Sequence, residues 1–182
     1  MMNSFSGRIL ITLILVSLFL GVSLFLRSDI EKNYSFNNLP VLQKMPEFSL
    51  SLLDGKNFSN KDIVSSSVVH LWATWCGPCE AEFPEFLNYA RSFEGKDILF
   101  SLVAVKDENI KVQKWIKKYG PLPSNTVVIM DNNGSLMKNL GSLKVPETLV
   151  FNNNSLFVKK FIGPQDWNNK YFKDNLLFLL GN

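Results

Sequence analysis

The sequence predicts an α/β domain with a mixed sheet and helices on both faces. Three observations carry this. Val68–Trp72 and Ile98–Val105 are uncharged, largely apolar runs of strand length and read as buried strands. Cys79–Phe93 and Asn109–Tyr119 alternate with them and carry their apolar residues at helical spacing. Glu147–Phe151 and Ser155–Phe161 are two late strand-like runs joined by Asn152-Asn153-Asn154, a hairpin connection. Strand, helix, strand, helix, then a hairpin implies a sheet with both parallel and antiparallel neighbours.

Taken in order, the chain opens with a short tail, residues 1–8, and then an uncharged stretch of 18 residues, Ile9–Leu26, bracketed by Arg8 and Arg27. As a helix at about 1.5 Å per residue it covers roughly 27 Å, close to the hydrocarbon core of a bilayer. A cleaved signal peptide has a shorter apolar region, about 7–15 residues, ending at a small-x-small site. Leu24-Phe25-Leu26-Arg27 offers none, so one uncleaved transmembrane helix is expected over residues 9–26. Charges flank it on both sides and hardly decide its orientation. Residues 27–45 read as a linker, with Asn33, Ser35, Asn37, Asn38 and Pro40 breaking any period. The compact domain is expected over 46–182. Phe48–Leu52 alternates as a strand extension at its N-terminus, and Asp54-Gly55 marks a turn before Phe58. Gly120 and Pro121 close the second helix. Thr126–Met130 is a further strand and Trp167–Leu180 a last amphipathic helix.

The chain has ample apolar content, 46% over 182 residues, and a net charge of only +3. Its one lysine cluster, Lys111, Lys114, Lys117 and Lys118, shares a helix with Trp115, Ile116 and Tyr119. That reads as a solvated face, and no nucleic-acid partner is expected. Two cysteines and one histidine cannot build a tetrahedral zinc site without carboxylates, so no metal is expected.

Both cysteines lie in Trp75-Cys76-Gly77-Pro78-Cys79, directly after the Val68–Trp72 strand. A disulfide closing so short a loop constrains the unfolded chain little, so stability is a poor reason for it. A thiol in the first turn of a helix is activated by unpaired N–H groups and the positive helix end. The reading is a redox-active Cys76–Cys79 dithiol: Cys76 attacks a target disulfide and Cys79 resolves the mixed intermediate. No other cofactor is required. Pro78 has no N–H to lose there and stiffens the loop. Pro84 either kinks the helix one turn on or marks a later helix start.

Trp72-Ala-Thr-Trp-Cys-Gly-Pro-Cys-Glu-Ala-Glu-Phe-Pro84 resembles the active-site segment of the thioredoxin superfamily, and more narrowly its membrane-anchored TlpA, ResA and CcmG/DsbE group. Gly141-Ser-Leu-Lys-Val-Pro-Glu-Thr-Leu-Val-Phe151 is similar to the Pro-Glu-Thr block of the CcmG/DsbE branch. The resemblance covers residues 46–182 and implies a thioredoxin-like fold with Trp75, Gly77, Pro78, Val145 and Pro146 supporting the site. It implies a cis Val145–Pro146 peptide, with the Val145 backbone open to pair with an extended substrate. Glu147 then stands where that branch has an acidic residue near the site, or is an exposed strand-end carboxylate. Glu82, three residues after Cys79, matches a glutamate of ResA-like reductases and could take the proton of Cys79, or is a solvated helix residue. His70 takes the strand position where thioredoxins bury an acid and anchored relatives usually carry Asn. It is read as a proton shuttle or as a packed, hydrogen-bonded core residue.

The expected function is that of an extracytoplasmic thiol–disulfide reductase on the inner membrane, its soluble domain facing the periplasmic side where protein disulfides form. Gly77-Pro78 is the dipeptide of reducing thioredoxins, and the Pro-Glu-Thr block points to apocytochrome c as target during cytochrome c maturation. The expected partners are that protein, an upstream membrane electron donor and the membrane itself. The alternatives are a general envelope disulfide reductase and a thioredoxin-fold binding or chaperone module without turnover.

Overall fold

The computed structural model describes residues 13–23 and 42–180. The chain divides into two units, Met1–Pro40 and Val41–Asn182. In the first, residues 13–23 form a helix, α1, with every residue exposed. The expected span over 9–26 lies in part outside the described residues, and among those described no helix is long and apolar enough to cross a membrane.

The second unit carries a seven-stranded sheet. Its strands are β1 (Ser49–Leu52), β2 (Asn57–Ser59), β3 (Ser66–Trp72), β4 (Ile98–Val105), β5 (Thr126–Asp131), β6 (Glu147–Phe151) and β7 (Phe157–Ile162), in the order β2-β1-β5-β4-β3-β6-β7. β3, β4 and β5 are parallel neighbours, as their helical crossovers require. β6 runs antiparallel to β3, and β1 antiparallel to β5, so the sheet is mixed. The helices are α2 (Gly77–Arg91), α3 (Asn109–Lys117), α4 (Ser135–Asn139) and α5 (Lys170–Leu180).

Side chains alternate across the sheet, and the two faces build two cores. Val68 and Trp72 of β3 join Phe83 and Phe86 of α2, Trp115 of α3 and Leu176 of α5. Val69 and Leu71 join Met45, Ile63, Ile129, Leu136 and Phe151 on the other side. Three helices thus serve one face, while the short α4 and the N-terminal segment cover the other. Leu42 packs on that second core and Lys44 bridges to Leu156, so the last residues of the expected linker are part of the fold.

Several boundaries differ from the expectation. α2 starts at Gly77, two residues ahead of the periodic run Cys79–Phe93, with Cys76 as its cap and Pro78 in its first turn as the activated-thiol reading requires, and it runs through Pro84 instead of beginning after it. α5 starts at Lys170, since Trp167 is held in the preceding turn by a side-chain hydrogen bond. β2, a 3₁₀ turn at Asn60–Asp62 and α4 were not expected; each is five residues or fewer, too short to show a period.

Candidate active site

Cys76 leaves β3 through the turn Ala73–Trp75 and caps α2 in an extended conformation (φ −97°, ψ 100°). Its Sγ accepts the Cys79 N–H at 3.2 Å, the bond a Ser or Asp side chain makes at an ordinary N-cap. The sulfur thus sits on unpaired helix amides, the setting that favours a thiolate. Cys76 and Cys79 are joined as a disulfide. Cys76 is 6% exposed and Cys79 fully buried, whereas Trp75 beside them is 61% exposed. Attack from outside therefore reaches Cys76 first.

The turn before Cys76 is fastened by the loop after β4. The buried Asp107 carboxylate accepts the Thr74 N–H at 2.6 Å and the Thr74 hydroxyl at 3.0 Å. The Trp75 indole N–H donates to the Lys106 carbonyl at 3.2 Å. Sequence reasoning missed Asp107. Its only signal is an acid at the C-terminal end of a buried parallel strand, where α/β sheets place their ligand crevice.

The Val145–Pro146 peptide is cis. β6 pairs with β3 as far as Glu147 opposite Leu71, so Val145 and Pro146 continue that register beside the chain leading to Cys76. Neither backbone group of Val145 has a backbone partner among the described residues. Glu147 is buried and its Oε2 lies 2.8 Å from Lys160 Nζ, which also donates to the Gly141 carbonyl at 3.0 Å. The ion pair joins β6 to β7, and the bond to Gly141 ties the loop before Pro146 to β7.

Glu82 is one turn below Cys79 and is buried, not solvated. Its Oε2 accepts the Gln165 N–H at 2.8 Å and the Trp167 indole N–H at 2.9 Å. Burial raises its pKa above the usual carboxylate value, with a smaller push from the Glu85 charge, and the two donors oppose the rise. Glu82 also lines, with Pro78, Glu85, Pro164 and Asp166, an open cleft of about 530 Å³. His70 lies beneath α2, stacked on Phe86 at 4.1 Å. Its Nδ1 is 2.9 Å from Thr148 Oγ1, and its Nε2 is 3.7 Å from Glu82 Oε1. Burial lowers its pKa to about 3, so the ring is neutral at ordinary pH. The structure therefore brings Cys79, Glu82 and His70 to one side of α2 and leaves Glu147 with Lys160. Among the described residues no group of three or more His, Cys, Asp or Glu side chains is placed to hold a metal ion.

The family profile described as Redoxin matches residues 40–176, well over half of the chain. The chain belongs to the redoxin family. This redoxin is 29% identical over 119 residues to the thiol-disulfide oxidoreductase ResA of Bacillus subtilis, covering 65% of each, so the chain spans a little under two thirds of that relative. It is 28% identical over 178 residues to the thiol:disulfide interchange protein DsbE of Haemophilus influenzae, covering 93% of this redoxin and 92% of that protein. A solved thiol:disulfide interchange protein of the thioredoxin family from Chlorobium tepidum shares the fold, with a TM-score of 0.64 at 24% identity over 76% of this redoxin and 97% of that chain. The redoxin is thus a thioredoxin-fold protein of the TlpA/ResA/CcmG-like group.

Proposed function

We propose that this protein is a membrane-anchored thiol–disulfide oxidoreductase that works as a reductase outside the cytoplasm, with apocytochrome c as its target. The observation that carries the reading is the Cys76 sulfur on the first amides of α2, with the Cys79 N–H aimed at it and the cis Val145–Pro146 turn alongside. The similarity to ResA and DsbE proteins supports the thiol–disulfide chemistry. The uncharged stretch over residues 9–26 supports the anchor. Val145-Pro146-Glu147-Thr148, placed beside β3, supports the cytochrome branch.

In the reduced enzyme the Cys76 thiolate attacks one sulfur of a target disulfide and expels the other as a thiolate. Cys79 then gives its proton to a base and attacks Cys76 Sγ, which releases the second target thiolate. Two electrons pass to the target, and the enzyme is left in the disulfide form described above. An upstream membrane donor returns it to the dithiol. Glu82, one turn from Cys79 and kept basic by a raised pKa, is the proton acceptor. The free backbone groups of Val145 pair with the extended target chain. The reaction draws on no cofactor beyond the Cys76–Cys79 pair.

The test is a trap. Cys79→Ser in the full-length protein should accumulate mixed disulfides that dissolve on adding a thiol, and Cys76→Ser should lose turnover by at least about a thousandfold, as expected when a nucleophile is removed. Trapped species dominated by apocytochromes support the target, whereas a broad set of envelope proteins points to a general reductase. No covalent partner at all, with Cys76→Ser still active, would leave a binding module as the better reading.

A further inference from the structure

The buried pair beneath α2 contains two polar atoms without a hydrogen-bond partner among the described residues, His70 Nε2 and Glu82 Oε1, and they face each other at 3.7 Å. Buried polar atoms are ordinarily satisfied, so an unsatisfied pair aimed at itself calls for a reason. The other two atoms are committed. Glu82 Oε2 already receives two N–H donors, and His70 Nδ1 is held by Thr148 Oγ1. Any proton taken up by Glu82 therefore resides on Oε1, pointing at the imidazole.

This arrangement fixes the ring's proton in each state. When Glu82 is ionised, Nε2 must carry the hydrogen, because a bare Nε2 would set two lone pairs against each other in a buried space. Nδ1 then accepts from the Thr148 hydroxyl. When Glu82 is protonated, its Oε1–H needs an acceptor, so Nε2 must be bare and Nδ1 carries the hydrogen and donates to Thr148 Oγ1. A threonine hydroxyl serves either case by rotating, since it both donates and accepts. Both states require the 3.7 Å gap to shorten to hydrogen-bond length by a side-chain rotation.

We propose that His70 is a tautomeric switch that follows the protonation of Glu82: a neutral positioning residue whose N–H moves from Nε2 to Nδ1 when Glu82 takes a proton. The pair as a whole gains one proton, the imidazole carries one N–H before and after, and no electron moves. A buried carboxyl can then change state beside the dithiol with a matched partner each time and without creating a histidine cation. The other charged groups around the pair are Glu85 on α2 and Asp166 beyond β7, which line the same cleft as Glu82. Glu147, one residue before Thr148, is engaged by Lys160. From β4, Leu102 stands opposite His70 and adds no charge.

The inference rests on the reading of Glu82 as the proton acceptor, but its test does not depend on turnover. The chain has a single histidine, so ¹⁵N-histidine labelling of the full-length protein in detergent micelles gives one imidazole with no assignment to resolve. In the oxidised form the cysteines carry no titrating thiol, which leaves Glu82 as the titrating partner in contact with the ring. A pH series should show one pyrrole-like and one pyridine-like nitrogen throughout, exchanging identity at a single midpoint. Glu82→Gln should abolish the exchange and leave one pattern at every pH. A tautomer unchanged over the whole range in which the protein stays folded overturns the switch, and so does a ring with both nitrogens protonated near neutral pH. Either result leaves the dithiol reading intact, because that reading falls only with the cysteine trap.

Discussion

His70 and Glu82 act on stability in opposite pH directions. The folded His70 pKa, about 3, lies below its ordinary value of about 6.5, so the unfolded chain binds the extra proton first as pH falls. Stability is full above about 6.5 and is lost on the way down to about 3, by an amount on the order of a few kcal/mol. Urea unfolding across that window should show the loss, and His70→Asn should flatten it; an unchanged slope in the variant would remove the histidine as its source. Glu82, raised by burial, does the reverse: its contribution is present below the ordinary carboxylate range and is lost as pH rises through the folded value. The donors on its Oε2 hold that rise in check. Trp167→Phe keeps the ring packing against Phe86 and Phe172 but removes the indole N–H. A hydrogen bond to a carboxylate favours its charged form, so the pKa of Glu82 should move further up, and the pH–rate profile with it. A profile left in place would mean that Glu82 does not set it. None of this partnership is legible in the chain, where Glu82 is three residues from a cysteine and Trp167 begins an amphipathic run. The bond joins residues 85 apart, and no local pattern encodes it.

At the scale of elements, legibility followed length. β3 and β4 declare themselves through unbroken uncharged runs, and α3 through its apolar spacing. The start of α2 lacks the usual Ser, Thr, Asp or Asn cap and is legible only through the chemistry of the cysteine motif, which sets Cys76 at the helix end. The β4–α3 loop is the least legible part of the site and the one that positions it. Lys106 adopts a left-handed conformation (φ 49°), and its side chain passes over Gly134, where an added Cβ would come 2.7 Å from Lys106 Cε. That close approach, with φ +75° at Gly134 itself, is why a glycine stands before α4. Asp107 follows Lys106 and reaches back to Thr74, 33 residues earlier. Asp107→Ala leaves the Thr74 N–H without its acceptor and should cost about 1–3 kcal/mol in chemical unfolding. It should also slow disulfide exchange, since the turn ahead of Cys76 loses its anchor. Full activity in a destabilised variant would limit Asp107 to a structural part.

For the molecule as a whole, the parallel alignment of β3, β4 and β5 brings three strand ends to one edge of the sheet. Cys76, Asp107 and the Asp131 carboxylate that receives the Leu136 and Met137 amides all follow from those ends. The anchor is tested at this scale. Full-length protein should sediment with membranes and resist extraction at high pH, and a chain starting at Val41 should remain in the supernatant. Full-length protein found in the soluble fraction would remove the anchor from the proposal. The hydrogen bond between Glu82 and Trp167 also sets an order in time. Translation at about 5–20 residues per second separates two residues 85 apart by roughly 4 to 17 s. Throughout that interval both thiols have been made while the carboxyl below them lacks its cap, and for most of it the strand pair carrying the cis turn is also incomplete. On the proposed mechanism, a nascent chain presents both thiols before it holds the pocket assigned to govern them, and is most open to oxidation by the wrong partner before its last helix arrives.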